Sequence, residues 1–514
     1  MGYTYSVRGL NTRRRLFMRR KILTLLMFMM IALFSFNAVY AETTVVVAQN
    51  ADAKSMDPTA SNDVPSHRVY LNIYDTLIER DTNMKLVPAL AESWEQVDPL
   101  TLVLHLRKDV KFHNGDPLKA SDVVFSLTRA KEAPSLMSFF YDVDKIEAVD
   151  DNTVKITTKK PFGPLTNYLA HKGAAILNEK AVKAAGNDYG QQPVGTGPFI
   201  FDSWRSGDRV TLKANPNYFK GKPAIDTLVF RVIPEGVNRT ISLETKEADI
   251  AYDIDPVDLR MVKEHPDLNL IQEPAMNINY LGFNTKKAPF DNKLVRQAIA
   301  YAVDRQSIID AVYLGAANEA NSPVSPSVFG YSKDAKKYSF DVAKAKELLA
   351  QAGYPNGFKT KIWLNDNTVR RDIAVILQDQ LKQIGIDLQI EILEWGSYLD
   401  RLARGEHDMF LLGWTSSPDS DSALYALFHS KNHGSSGNRT YFTNSRMDQL
   451  LDLGRESTVP EDRIKYYKEA QDIVQEEVPM LVLVYPYDNV GLQKTIKGFI
   501  LDAESEHRLI HVSK

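Results

Sequence analysis

The stretch Pro88-Ala89-Leu90-Ala91-Glu92-Ser93-Trp94, followed by Thr101-Leu102-Val103-Leu104-His105-Leu106-Arg107-Lys108-Asp109-Val110-Lys111-Phe112-His113-Asn114-Gly115-Asp116-Pro117 and by Ala120-Ser121-Asp122-Val123-Val124-Phe125-Ser126, carries the strongest statement about the fold. Within it Leu102, Leu104 and Leu106 recur with a period of two, which predicts a half-buried strand over 101–106. The remainder reads as turns, strand ends and packing positions. Such positions report a fold and do not identify a ligand.

Outward from this stretch, strands and helices are mixed throughout the chain beyond residue 41. The β-branched opening at 43–48 and the apolar patterns at 228–233 and 386–392 predict further strands. Asp341 can cap a helix with Val342, Ala345, Leu348, Leu349 and Ala352 on its apolar face, ended by Gly353 and Pro355. A longer helix is expected from Lys293 to Tyr313, and another over 461–477. The fold class is therefore mixed α/β, and 514 residues suggest two or three domains.

The first forty-one residues read as an export signal. Arg13, Arg14, Arg15, Arg19, Arg20 and Lys21 precede an apolar run from Ile22 to Phe36, and Val39 and Ala41 form a cleavage site before Glu42. No cysteine is present to carry a lipid or form a disulfide, so the mature protein is expected to be soluble and to depend on a large core. The expected address is a periplasm. Removing the seven basic residues of this segment takes the formal net charge from −3 to −10, which argues against nucleic acid or anionic lipid as a partner.

Catalytic motifs are missing. The chain has no H-E-x-x-H, G-x-S-x-G or G-x-x-x-x-G-K-[ST], and no thiol nucleophile. Gly195-Thr196-Gly197 runs into Pro198, whose missing N–H spoils a phosphate cradle, so a tight turn between strands is expected instead. His429 and His433 have metal-ligand spacing for a helix, but Lys431-Asn432 and Gly434-Ser435-Ser436-Gly437 read as loop. A hydrolase assembled from dispersed residues would escape this search. No catalytic residue, metal or cofactor is assigned.

The opening stretch resembles the signature region of the family 5 extracellular solute-binding proteins, the peptide, glutathione and nickel receptors of ABC importers. Further matching strings follow in the same order: Pro193 to Phe199, Asn215 to Phe219, Pro289 to Ile299, Ala352 to Phe358 and Gly413-Trp414-Thr415. The resemblance implies a two-lobed, Venus-flytrap fold of class II type with an extra domain beside the first lobe. The first lobe would comprise 42–75, 193–284 and 488–514, the extra domain 76–192 and the second lobe 285–487. It also implies a monomer that captures a small peptide between its lobes and delivers it to a permease and ATPase complex in the inner membrane, without enzymatic activity.

Site residues follow from the same resemblance. The segment Gly413 to Asp421 corresponds to the stretch that pairs with the peptide backbone and supplies an acid for its ammonium. Trp414 and Thr415 would line the cleft and Asp419 or Asp421 would meet the ammonium; the alternative is that Asp419 caps the helix starting near Ser420. The run Ala423 to Ser430 and Gly437 to Tyr441 looks most like glutathione-binding members, with dipeptide or oligopeptide receptors and then nickel- or haem-complex receptors as alternatives. Glutathione carries two carboxylates and one ammonium, so its site needs an extra cation. Arg439 leads, then Arg370 or Arg371, with neutral bonds from Asn279 and Tyr280.

Overall fold

In a computed structural model the described residues are 1–2, 18, 42–504 and 508–514. The expected export signal, apart from these isolated positions, lies outside them. Residues Thr44–Lys514 form one unit by their contacts. Among the described residues no helix is long and apolar enough to cross a membrane.

The elements follow the sequence pattern closely. The period-two leucines lie on the strand Thr101–Leu106, in which Leu102, Leu104 and Leu106 are buried. This strand sits inside a four-stranded antiparallel sheet made by Ala91–Asp98, Thr101–Leu106, Thr153–Thr158 and Val143–Asp150 in spatial order. Helix Ala120–Glu132 packs on the inner face, and the apolar core between them runs from Leu77 to Ile176.

The largest sheet has twelve strands of mixed direction, and a third pairs Ile78–Arg80 with Leu86–Pro88. The fourteen-residue strand Met480–Gln493 runs through the middle of the largest sheet. Its first part pairs with Asn277–Phe283 and its last part with Leu268–Pro274 and Ile250–Ala251. The sheet thus has two halves sharing one strand. One half carries Thr44–Gln49 and Thr227–Val232 as a parallel pair. The other carries Lys359–Asn365 between Asp387–Leu393 and Met409–Thr415, parallel to both. Separate cores lie under the halves, one around Val45, Phe230 and Leu492 and others around Leu364 and Leu377 and around Tyr280 and Phe428.

Two local expectations need correction. The helix expected from Lys293 to Tyr313 stops at Ala302, because Val303 and Asp304 are extended. The Asp304 carboxylate accepts from the N–H groups of Gln306 (3.1 Å) and Ser307 (3.3 Å) and starts a new helix at Arg305. Gly195 to Gly197 is no turn between strands: it lies flat on the backbone of Ile73, whose carbonyl accepts from the Gly197 N–H at 2.9 Å. A Cβ on Gly195 would stand 2.0 Å from that carbonyl oxygen, so close approach is the reason for glycine there. The Asp341 cap is present, its carboxylate accepting from the Lys344 N–H at 2.9 Å, and Gly353 ends that helix at φ +89.

Candidate functional site

A cavity of about 230 Å³ lies between the two halves of the large sheet. One wall comes from Asn50, Asn62, Asp63, His67, Arg68, Asp253 and Asp488, with Phe139, His171 and Lys172 beside it; the other comes from Asn277, Asn279, Asn365, Asn367, Arg370, Trp395, Gly413 to Ser417 and Arg439.

Backbone geometry explains why 413–415 faces the cavity. The Ser416 N–H bonds the Met276 carbonyl at 2.8 Å, and pairing alternates along an antiparallel ladder. Leu412 and Trp414 therefore bond across to Tyr280 and Ile278, while Gly413 and Thr415 turn their N–H and C=O groups to the opposite edge. On that edge Lys359–Asn365 pairs only with Met409 and Phe410, and the Tyr398 hydroxyl donates to the Leu411 carbonyl at 2.6 Å. From Gly413 to Thr415 the strand edge borders the cavity with no neighbouring strand among the described residues.

Caps place the polar residues. Asn367 accepts from the Arg370 N–H at 2.9 Å and starts the helix Thr368–Lys382 at the cavity, with Arg370 in its first turn. Asp63 does the same for Val64–Tyr70 by accepting from Ser66 N–H at 3.1 Å, and the Trp395 indole donates to it from the other wall at 3.4 Å. Six of the lining residues are asparagines, whose amides both donate and accept, so the lining matches a ligand rich in amides.

The charges are divided unequally between the walls. Arg68 is held by Asp253 through bonds of 2.8 and 3.0 Å. Burial disfavours its charge, yet Asp253, together with Tyr252 and Asp488, outweighs burial and raises its pKa. Arg370 donates to the Asn365 amide oxygen and lies 5.8 Å from the Trp395 ring centre. Among the described residues no carboxylate pairs with Arg370 or Arg439, and the buried Arg439 Nε has no hydrogen-bond partner. The Trp414 Nε1 and Asn277 Oδ1 atoms are also buried without partners. Unpaired buried polar atoms are costly, and three of them share this wall. Burial pushes the neighbouring Tyr280 hydroxyl up to about 12, against the fields of Arg439 and Arg370.

Of the residues expected from sequence, Trp414, Thr415, Asn279, Arg370 and Arg439 line the cavity. Four do not. The Asp419 carboxylate takes two 2.8 Å bonds from Arg463 and accepts from the Asp421 N–H at 3.0 Å, which places it at the helix start. Asp421 is fully buried against Arg455, 2.6 Å away. Both acids are paired internally and neither lines the cavity. Tyr280 follows Asn279 on a strand and so points to the opposite face, into the core. Arg371 turns away from Arg370 on its helix and pairs with Asp366 at 3.4 Å. His429 packs on Tyr425 and His433 meets the Phe442 carbonyl at 3.0 Å, so neither histidine reaches the cavity. Among the described residues no group of three potential metal ligands occurs.

Sequence reasoning missed Asn277, Asn365, Asn367, Trp395 and the acids Asp253 and Asp488. Asn277 could have been found, since it shares the face of Asn279 two residues on.

Residues 85–435 match the family described as bacterial extracellular solute-binding proteins, family 5 middle. The chain belongs to family 5. It is a transport receptor of the two-lobed solute-binding fold and not an enzyme. Among curated relatives, the glutathione-binding protein GsiB of Escherichia coli O1:K1 is 33% identical over 473 residues, covering 90% of this family 5 chain and 92% of its own length. Heme-binding protein A of Haemophilus influenzae is 34% identical over 464 residues, covering 83% and 84%. Among solved structures, the periplasmic binding protein DppA of Helicobacter pylori in complex with the peptide STSA superposes with a TM-score of 0.87 at 31% identity, covering 92% of this chain and 98% of that one.

Proposed function

We propose that this protein is the periplasmic receptor of an ABC importer for small peptides and that its ligand is glutathione. The observation that carries the reading is the pair Arg370 and Arg439, two cations on one wall with no carboxylate partner among the described residues. A zwitterionic dipeptide offers one carboxylate, whereas glutathione offers two and carries net charge −1 at neutral pH. Each carboxylate takes one arginine, and the ammonium turns toward the acidic wall of Asp253 and Asp488. The open edge at Gly413–Thr415 pairs with the ligand backbone as an added strand, and the asparagines complete its amides. The glutathione-binding relative supports the assignment.

Delivery needs closure. The bodies 42–75 with 193–284 and 488–514, 76–192, and 285–487 act as first lobe, extra domain and second lobe, and the ligand shifts the balance toward the closed form. The receptor acts as a monomer handing its ligand to the permease, after export through the segment ending at Ala41.

A metal-complex reading is favoured by one observation, the rings of His67 and His171 at 5.6 Å on the cavity wall.

The test is calorimetric titration of refolded, ligand-stripped protein with glutathione, a neutral dipeptide, a longer peptide and Ni²⁺. Binding of glutathione at micromolar or lower concentration, with the dipeptide at least tenfold weaker, supports the proposal. Preferential binding of the dipeptide or the longer peptide would keep the receptor class and reject glutathione; Ni²⁺ binding alone would reject a peptide ligand.

A further inference from the structure

We propose that Tyr168, Asp421 and Arg455 form a latch that holds the ligand cavity shut, set behind its wall and outside its lining. This rests on the reading of the cavity as one that closes.

Asp421 and Arg455 are 0% and 1% exposed at their side chains. Arg455 Nη2 and Nε donate to the Asp421 carboxylate at 2.6 and 3.2 Å. Further partners arrive from a distant part of the chain: the Tyr168 hydroxyl donates to the Asp421 carboxylate, Arg455 Nη1 donates to the Ser138 carbonyl at 2.7 Å, and the Asp142 carboxylate lies 3.8 Å from the same Nη1. The Arg455 guanidinium lies 3.3 Å from the Tyr425 ring centre on its own side and 5.2 Å from that of Phe162 on the other.

Tyr168 and Phe162 belong to the core spanning Leu77 to Ile176, and Tyr425 belongs to the core around Tyr280 and Phe428. The chain between these cores passes through the first half of the large sheet, so their contact here is non-covalent. The backbone joins the two halves of that sheet elsewhere, between Pro274 and Asn277 and along Met480–Gln493. Bending at those strands would separate Tyr168 from Asp421. The cavity lies between: Phe139 lines it and stacks on Tyr168 at 4.6 Å, while Ser422, next to Asp421, lines it from the other side.

Opening leaves the Asp421–Arg455 pair intact and strips it of the Tyr168 hydroxyl, the Ser138 carbonyl, the Asp142 carboxylate and the cover of the Phe162 ring. Closure therefore returns hydrogen bonds to a charged pair in a dry setting, where they are stronger than in water. Loss of the hydroxyl is expected to weaken ligand binding roughly tenfold through the closed population alone.

The chain has no cysteine, so Val149→Cys and Val459→Cys, at positions 61% and 47% exposed, can carry two spin labels. Their distance is measured without ligand and with glutathione, with Tyr168 intact and in Tyr168→Phe. The proposal expects Tyr168→Phe to move the ligand-free distribution toward longer distances and to weaken glutathione and a neutral dipeptide by the same factor. Unchanged distances and affinities would overturn it. So would unchanged distances with a lowered unfolding midpoint, which would make the cluster static packing. The ligand-free shift does not depend on which peptide binds, so it stays readable if glutathione proves to be the wrong ligand. Circular dichroism of each variant establishes that it is folded.

Discussion

Arg439→Ala separates ligand recognition from stability. The guanidinium has no carboxylate partner and its Nε has no hydrogen-bond partner among the described residues, so removing it leaves no acid uncompensated. The fold should lose less than about 1 kcal/mol. Binding is different: a hydrogen bond to a charged group contributes about 1.5–3 kcal/mol, so glutathione affinity should fall roughly 10- to 150-fold. A neutral dipeptide, whose single carboxylate can stay on Arg370, should lose less than about threefold. Calorimetry on ligand-stripped protein reads both, and Trp395 and Trp414 at the cavity give a fluorescence check. Unchanged glutathione affinity, or equal losses for the two ligands, would refute the assignment of the second carboxylate to Arg439.

Arg455→Ala should behave in the opposite way, costing about 3–5 kcal/mol in urea unfolding because Asp421 is left buried and unpaired; a loss below about 1 kcal/mol would contradict that account. Gly195→Ala should cost about 1–3 kcal/mol, since the added Cβ meets the Ile73 carbonyl and the backbone must move. His407 provides a pH signature. Burial lowers its pKa from 6.5 to about 3, so the folded protein binds fewer protons than the unfolded chain below pH 6.5. The stability it contributes is complete above pH 6.5 and falls as the pH drops toward 3, by roughly 2 kcal/mol on reaching pH 5. His407→Phe should flatten this part of the unfolding profile, and an unaltered slope would show that His407 is not its source.

Much of the fold could be read from local pattern because its determinants are local. The alternating leucines at 102, 104 and 106 and the Asp341 cap need only neighbouring residues, and both elements form where expected. The break at Asp304 was also visible in principle as an N-cap, but the apolar periodicity running on to Val312 concealed it. At the site, the cleft-facing strand was legible while the acids were not. Asp419 and Asp421 stand near Trp414 in sequence, but their role is decided by Arg463 and Arg455, 44 and 34 residues away. Neighbour pairs carried a similar ambiguity. Asn279 and Tyr280 on a strand, or Arg370 and Arg371 on a helix, cannot both face one cavity, and strand or helix geometry alone does not tell which of the two does.

The most direct test of the central claim compares glutathione with its glycine-carboxyl ethyl ester on the ligand-stripped protein by calorimetry. The ester keeps the backbone, the thiol and the ammonium and removes one negative charge. If Arg370 and Arg439 each hold a carboxylate, the ester should bind at least tenfold more weakly, and Arg370→Ala or Arg439→Ala should narrow that gap. Equal affinity for acid and ester would contradict a cavity built to receive two carboxylates.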